Sequence, residues 1–257
     1  MVFDTRGRRK HVIRVVYAIL AILMGASLFL VVGPFNIGAL LGQSSSANAT
    51  KVFEEQVERI EGRLAKDPTN ADVLLSLVRA QLGAANAQVE IDPVTGARTV
   101  PPEALPDFEA ALDDWNRYLK HAGDEPSVSG AQLIAATFFQ QAESGASLRG
   151  VEADIATAAA AQQIVAEQRP SLGALGTLAK FQYYNGEFAA GDKSTKQAAA
   201  KAPSKAEAKN VEKQLVEYRK QAKKFATQAK RIEKAEREAG KEKLTNPFSL
   251  GGAAAGG

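Results

Sequence analysis

With 257 residues, a net charge of +3 and 45% hydrophobic side chains, the chain has room for one packed domain or a short array of repeated units. Zero cysteines exclude disulfides, zinc ribbons, thiol nucleophiles and an acylated lipoprotein cysteine. The apolar content is rich in Ala and only 7% of residues are aromatic, which favours an all-α fold over a sheet.

Residues 1–14 carry five Lys or Arg against one Asp, and the next 19 residues, Val15 to Gly33, carry no charge at all. At 1.5 Å per residue that stretch is about 28 Å long, the thickness of a bilayer core, and it reads as a single-pass transmembrane helix. Its eleven Val, Ile, Leu and Phe residues favour insertion by about 3–6 kcal/mol. Arg6, Arg8, Arg9, Lys10 and Arg14 precede the span and no charge follows it until Lys51. That asymmetry places a basic tail, 1–14, in the cytoplasm and the rest outside, in the cell envelope. The competing reading is a cleaved signal peptide at Ala47-Asn48-Ala49, but the apolar run is too long and ends too early for it. Asn48-Ala49-Thr50 also matches the glycosylation acceptor pattern, which matters only in a eukaryotic secretory route. Residues 34–50 begin with a helix-stopping Pro34 and are rich in Gly, Ser and Asn, as in a flexible tether.

Residues 51–203 read as helical hairpins. Val52, Val57, Ile60 and Leu64 share one side of a first helix, which Asp67-Pro68-Thr69-Asn70 ends before capping a second. Three segments then repeat one pattern: Leu74-x2-Leu77-Val78-x2-Gln81, Ala131-x2-Ile134-Ala135-x2-Phe138 and Leu175-x2-Leu178-Ala179-x2-Gln182. The third continues through Gly186, Gly191 and Ala198 to Pro203, while the first finds its partner helix at Ala111-x3-Trp115-x2-Tyr118. This pattern resembles a degenerate tetratricopeptide repeat, in which small residues mark the close crossing of two helices and a proline the exit. Leu175 stands where the repeat has Trp, Gln182 where it has Tyr, Gly191 where it has Ala and Thr195 where it has Phe. Leu77, Ile134 and Leu178 are 57 and 44 residues apart, so about 23 and 10 residues are inserted relative to a 34-residue period. The competing reading is a generic Ala-rich bundle. Within the first insertion, 83–104, Val89 to Val100 alternates around Pro93 and Gly96 and reads as a small β-hairpin.

Ser204-Lys205-Ala206-Glu207 is a capping box opening a long basic helix over 204–240. Val211, Leu215, Tyr218, Ala222, Phe225, Ala229 and Ile232 step by fours and threes along it, as in a coiled-coil seam, or in a helix whose Val211 to Tyr218 stretch caps the repeats while the rest projects as a solvated basic helix. Residues 241–257 read as a disordered tail.

Nothing in the sequence assembles a catalytic group, a metal site or a cofactor site. His11 and His121 have no ligand partners in pattern, and adjacent acids such as Asp113 and Asp114, or Glu54 and Glu55, diverge by about 100° on a helix and read as solvated faces. The expected activity is therefore binding without turnover. The repeat resemblance implies a groove lined by the first helix of each hairpin, with Arg79, Gln132, Phe139, Lys180, Tyr183 and Tyr184 facing a protein or peptide partner. The implied role is a membrane-anchored extracytoplasmic adaptor or assembly factor. Two rival readings remain: self-association through the span and the C-terminal helix, and capture of anionic lipid or wall polymer by that helix. Nucleic acid is disfavoured outside the cytoplasm.

Overall fold

The structure is a computed structural model that describes residues 46–145 and 148–239. The basic tail, the expected span at 15–33, the tether up to residue 45 and the tail at 241–257 lie outside the described residues. Among those described, no helix is long and apolar enough to cross a membrane.

The described chain is all-α apart from one small hairpin. Its helices are α1 (Ser46–Leu64), α2 (Ala71–Gln88), α3 (Leu105–His121), α4 (Val128–Ser144), α5 (Leu148–Gln168), α6 (Leu172–Tyr184), α7 (Phe188–Ala200) and α8 (Lys205–Ala239). Strands β1 (Glu90–Ile91) and β2 (Arg98–Thr99) pair antiparallel between α2 and α3, followed by a 3-10 turn at Pro102–Ala104. Helix α1 begins at Ser46, inside the stretch read as tether.

Local chemistry sets the boundaries. The Asn70, Ser127 and Ser171 side chains accept from the backbone N–H three residues on, closing the first turns of α2, α4 and α6. The Ser204 hydroxyl accepts from the Glu207 N–H ahead of α8 at 3.2 Å. Between α6 and α7 the turn passes through Gly186 at φ +79°, a conformation a side chain would oppose.

Helix α2 packs between α1 and α3, α4 pairs with α5, and α6 pairs with α7 and leans on α5. One apolar core runs from Ile60 of α1 to Phe181 of α6, and all twelve residues of the recurring sequence pattern on α2, α4 and α6 are buried. On α1, Ile60 and Leu64 are buried and Val57 half-buried on the expected side, and only Val52 departs from it. Val52 is 61% exposed, and it is Phe53 whose ring presses on Gly83, where an added Cβ would lie 2.5 Å from Cε1.

The crossing of α6 and α7 is equally close: a Cβ on Gly191 would meet the Tyr183 ring at 2.5 Å. Polar side chains fill the places around it. Gln182 accepts from Ser194 Oγ at 2.7 Å, and the Tyr183 hydroxyl donates to Asp192 at 2.9 Å and shares a hydrogen bond with Thr195 at 2.8 Å. Similarly, Asp114 is buried rather than solvated. It accepts from Gln81 Nε2 at 2.9 Å and pairs with Arg117, so its charge is satisfied between α2 and α3.

Helix α8 folds back on the array instead of leaving it. Leu215 and Ala222, flanked by Val211 and Tyr218, pack on α6 and α7, and Phe225 packs on Ala142, Val151 and Ile155 where α4 meets α5. Because Val211 and Leu215 lie near the start of α6 while the Tyr184 hydroxyl at its end donates to Gln221, α8 runs beside α6 in the same direction. Arg219 clamps it to α7 through two bonds to Asp192, at 2.9 and 3.2 Å.

Candidate functional site

Where α8 lies beside α6 and faces the C-terminal half of α4, a groove of about 400 Å³ remains. Its apolar floor is Phe139, Phe181, Leu215 and Tyr218, and its rim carries Gln140, Thr177 and Gln214. Phe139 and Phe181 stack at 4.3 Å between centroids, fixing the floor across two hairpins.

One wall is almost bare backbone. Gly173 and Gly176 of α6 border the groove, and a Cβ built on either meets nothing within 4 Å. A glycine inside a helix costs about 0.5–1 kcal/mol relative to Ala. No neighbour within the described fold requires one there, in contrast to Gly191. What the two glycines provide is a helix surface that another backbone can approach closely.

Lys180 supplies the charge. Its Nζ lies 4.2 Å from the Phe139 ring centre and 5.3 Å from that of Tyr218. Desolvation lowers its pKa, opposed by the Glu143 carboxylate. The ammonium therefore stands over aromatic faces in a partly dry setting, where its attraction for an incoming carboxylate exceeds that of a surface lysine.

The six residues expected to face a partner fall in several places. Phe139 and Lys180 line the groove together. Arg79 is half-buried and donates to Ser129 Oγ at 2.9 Å, strapping α2 to α4, and Gln132 is exposed on α4 away from the groove lining. Tyr183 is 1% exposed and points at α7. Tyr184 sits edge-on between Phe139 and Phe225, both at 5.8 Å, with its hydroxyl pKa pushed up to about 12 by desolvation and by Glu143 and Tyr218. The groove residues that sequence reasoning did not assign to a site are those of the α8 wall, Val211 to Tyr218, read there only as a seam or a cap, and Gly173 and Gly176. Their signal was present as two glycines within a predicted helix.

The hairpin borders the same face. Arg98 of β2 donates to Gln140 Oε1 at 3.0 Å and to Asn86 Oδ1 at 3.2 Å, tying the flap to α4 and α2. Its loop is shaped by Asp92, which accepts from the Val94 and Thr95 N–H groups, and leaves Val94 91% exposed. A second cavity of about 500 Å³ lies between α5, α6 and α7, and its Gln182 and Ser194 already bond each other. Among the described residues no group of three or more His, Asp and Glu side chains is placed to hold a metal ion.

Comparison with family models, with curated proteins and with solved structures gives no match to this chain. Its own residues therefore carry the functional argument.

Proposed function

We propose that this chain is a single-pass membrane protein whose tetratricopeptide-like helical domain stands on the extracytoplasmic side and holds a protein partner in the cell envelope, as an adaptor or assembly factor without turnover. The observation that carries the reading is the groove between α4, α6 and α8: an aromatic floor, a backbone wall at Gly173 and Gly176, and a partly desolvated Lys180. These features fit an extended or helical segment that brings a small-residue face to the glycines, an apolar side chain to Phe139 and Leu215, and a carboxylate to Lys180. The repeat reading is supported by the burial of the recurring pattern on α2, α4 and α6 and by the Gly191–Tyr183 crossing. The span and the outward orientation rest on the uncharged run from Val15 to Gly33 and the basic residues before it.

A photo-crosslinking residue at Thr177, on the exposed rim, tests the groove in living cells, with Asn116 on α3 as the control position. The expected result is a discrete adduct from position 177 only, abolished by Gly176→Trp, which fills the groove from its open wall. Adducts of equal yield from both positions, or an adduct that survives Gly176→Trp, would overturn the groove as the binding site.

A further inference from the structure

The outward face of α8 is a ridge of positive charge. The seam from Val211 to Ile232 faces the array, and at 100° per residue the line opposite it passes within about 45° of Lys209, Lys213, Lys220, Lys224, Arg231 and Lys234. All six are exposed. They follow the same steps of four and three as the seam, with Val216 and Thr227 as the neutral members, over about 38 Å of helix. Glu212 and Glu217 flank this line, Glu207, Glu233 and Glu236 lie toward the seam, and Glu238 falls on the line one turn past Lys234. Glu217 reaches in to pair with Lys220 at 2.8 Å, and Glu238 meets Lys234 at 3.8 Å just past the end. Lys209, Lys213, Lys224 and Arg231 take part in none of the salt bridges seen among the described residues. Eleven basic residues against six acidic ones over 205–239 make α8 the most cationic element described.

A straight row of charge with no packing role calls for a ligand that is itself extended and anionic. We propose that this ridge docks α8 lengthwise on an anionic lipid surface. Three features favour a bilayer over a nucleic acid. Five of the six cations are lysines, compact point charges suited to a diffuse field, rather than the guanidinium forks that grip phosphates and base edges. The ridge carries no aromatic side chain on which a base could stack. The third is position in the chain: the expected span ends at Gly33, twelve residues before α1, so a lipid surface is held close to the first helix, and the ridge sits on the last. Two attachments at opposite ends would lay the helical array along the membrane. Since the apolar seam of α8 is spent on α6, α7 and the α4–α5 corner, the helix rests on the headgroups and does not insert. This inference is independent of the groove, and its third argument rests on the span of the proposed function.

The test uses the full chain held in nanodiscs of phosphatidylcholine, so that its own span is satisfied, and adds separate acceptor vesicles of phosphatidylcholine alone or mixed with phosphatidylglycerol. The expected result is sedimentation with the phosphatidylglycerol vesicles alone, at about 50 mM salt, fading as salt shortens the screening length. With about fivefold in affinity per lysine near such a surface, the K209Q/K213Q/K224Q/R231Q chain loses on the order of several hundredfold. The K209R/K213R/K224R chain keeps its binding. Equal binding to both vesicles, unchanged binding by the glutamine chain, or capture of the protein by duplex DNA in preference to the anionic vesicles at equal charge would each overturn the proposal. Circular dichroism checks that the glutamine chain keeps its helices. If it does not, the salt titration of the native chain against the two vesicles decides.

Discussion

Two glycines one helix apart should respond to the same substitution with opposite sign. A Cβ on Gly191 would lie 2.5 Å from both Cδ1 and Cε1 of Tyr183 and 3.1 Å from Cζ. That ring is 1% exposed and its hydroxyl is tied to Asp192 and Thr195, so it cannot swing aside without breaking two hydrogen bonds. Overpacking of this kind costs about 1–3 kcal/mol, against about 0.5–1 kcal/mol gained from the better helix propensity of Ala. Gly191→Ala should therefore destabilise by about 1–2 kcal/mol, lowering the melting temperature by about 3–8 °C in a domain of this size. Gly176→Ala meets nothing within 4 Å and keeps only the propensity gain, raising the melting temperature by about 1–4 °C. Thermal unfolding followed by circular dichroism reads both. A Gly191→Ala chain as stable as the native one would refute the close crossing, and a destabilised Gly176→Ala chain would refute the open wall.

Further outcomes follow from burial and charge. Desolvation raises the Asp154 carboxyl of α5 from its usual 3.8 to about 7, so between these values the folded state holds a proton that the unfolded state has released. Stability from this group is thus complete below about pH 4 and lost as pH rises through 7, and Asp154→Asn should raise the urea midpoint at pH 8 while leaving it unchanged near pH 4. Desolvation also raises the Glu152 carboxyl, helped by Glu233 and Glu236 across from it on α8, so its effect runs in the same direction. Phe139→Ala removes a 5% exposed ring stacked on Phe181, and equilibrium unfolding should show a loss of about 3–5 kcal/mol. Lys180→Met, by contrast, should leave the melting temperature within about 2 °C while abolishing the Thr177 crosslink, because it removes charge and keeps the stem. Arg98→Ala unties the flap from Asn86 and Gln140, and limited proteolysis should then cut near Gly96 faster with little change in global stability.

What the sequence made legible was the set of buried faces. The three copies of the recurring pattern on α2, α4 and α6 are all interior, because a 3.6-residue period reports the side of a helix that meets the core. The hairpin at 89–100 was readable from the alternation around Pro93 and Gly96, whereas the part of Asp92 in shaping its loop was not. Phe53 takes the place expected of Val52 because Phe53, not Val52, continues the four-three-four steps of Val57, Ile60 and Leu64, and its ring seats closely on Gly83. The burial of Asp114 was not legible because Gln81 reaches it only once α2 and α3 are packed, while its other partner, Arg117, one turn along the same helix, fits a surface pair equally well. The groove was half-legible. Phe139 and Lys180 belong to it, but its other wall depends on whether the seam of α8 meets a second chain or its own, and the seam pattern is the same in both cases.

The most direct test of an outward-facing, occupied groove exploits a chain with no cysteine of its own. Single Thr177→Cys and Asn116→Cys chains are treated in intact spheroplasts, and after purification, with a maleimide that cannot cross the membrane. The account predicts that both positions label without permeabilisation, and that position 177 labels more slowly in cells than in the purified chain while position 116 labels equally in both. Labelling that requires permeabilisation would contradict the orientation, and equal rates at position 177 in cells and in isolation would contradict an occupied groove.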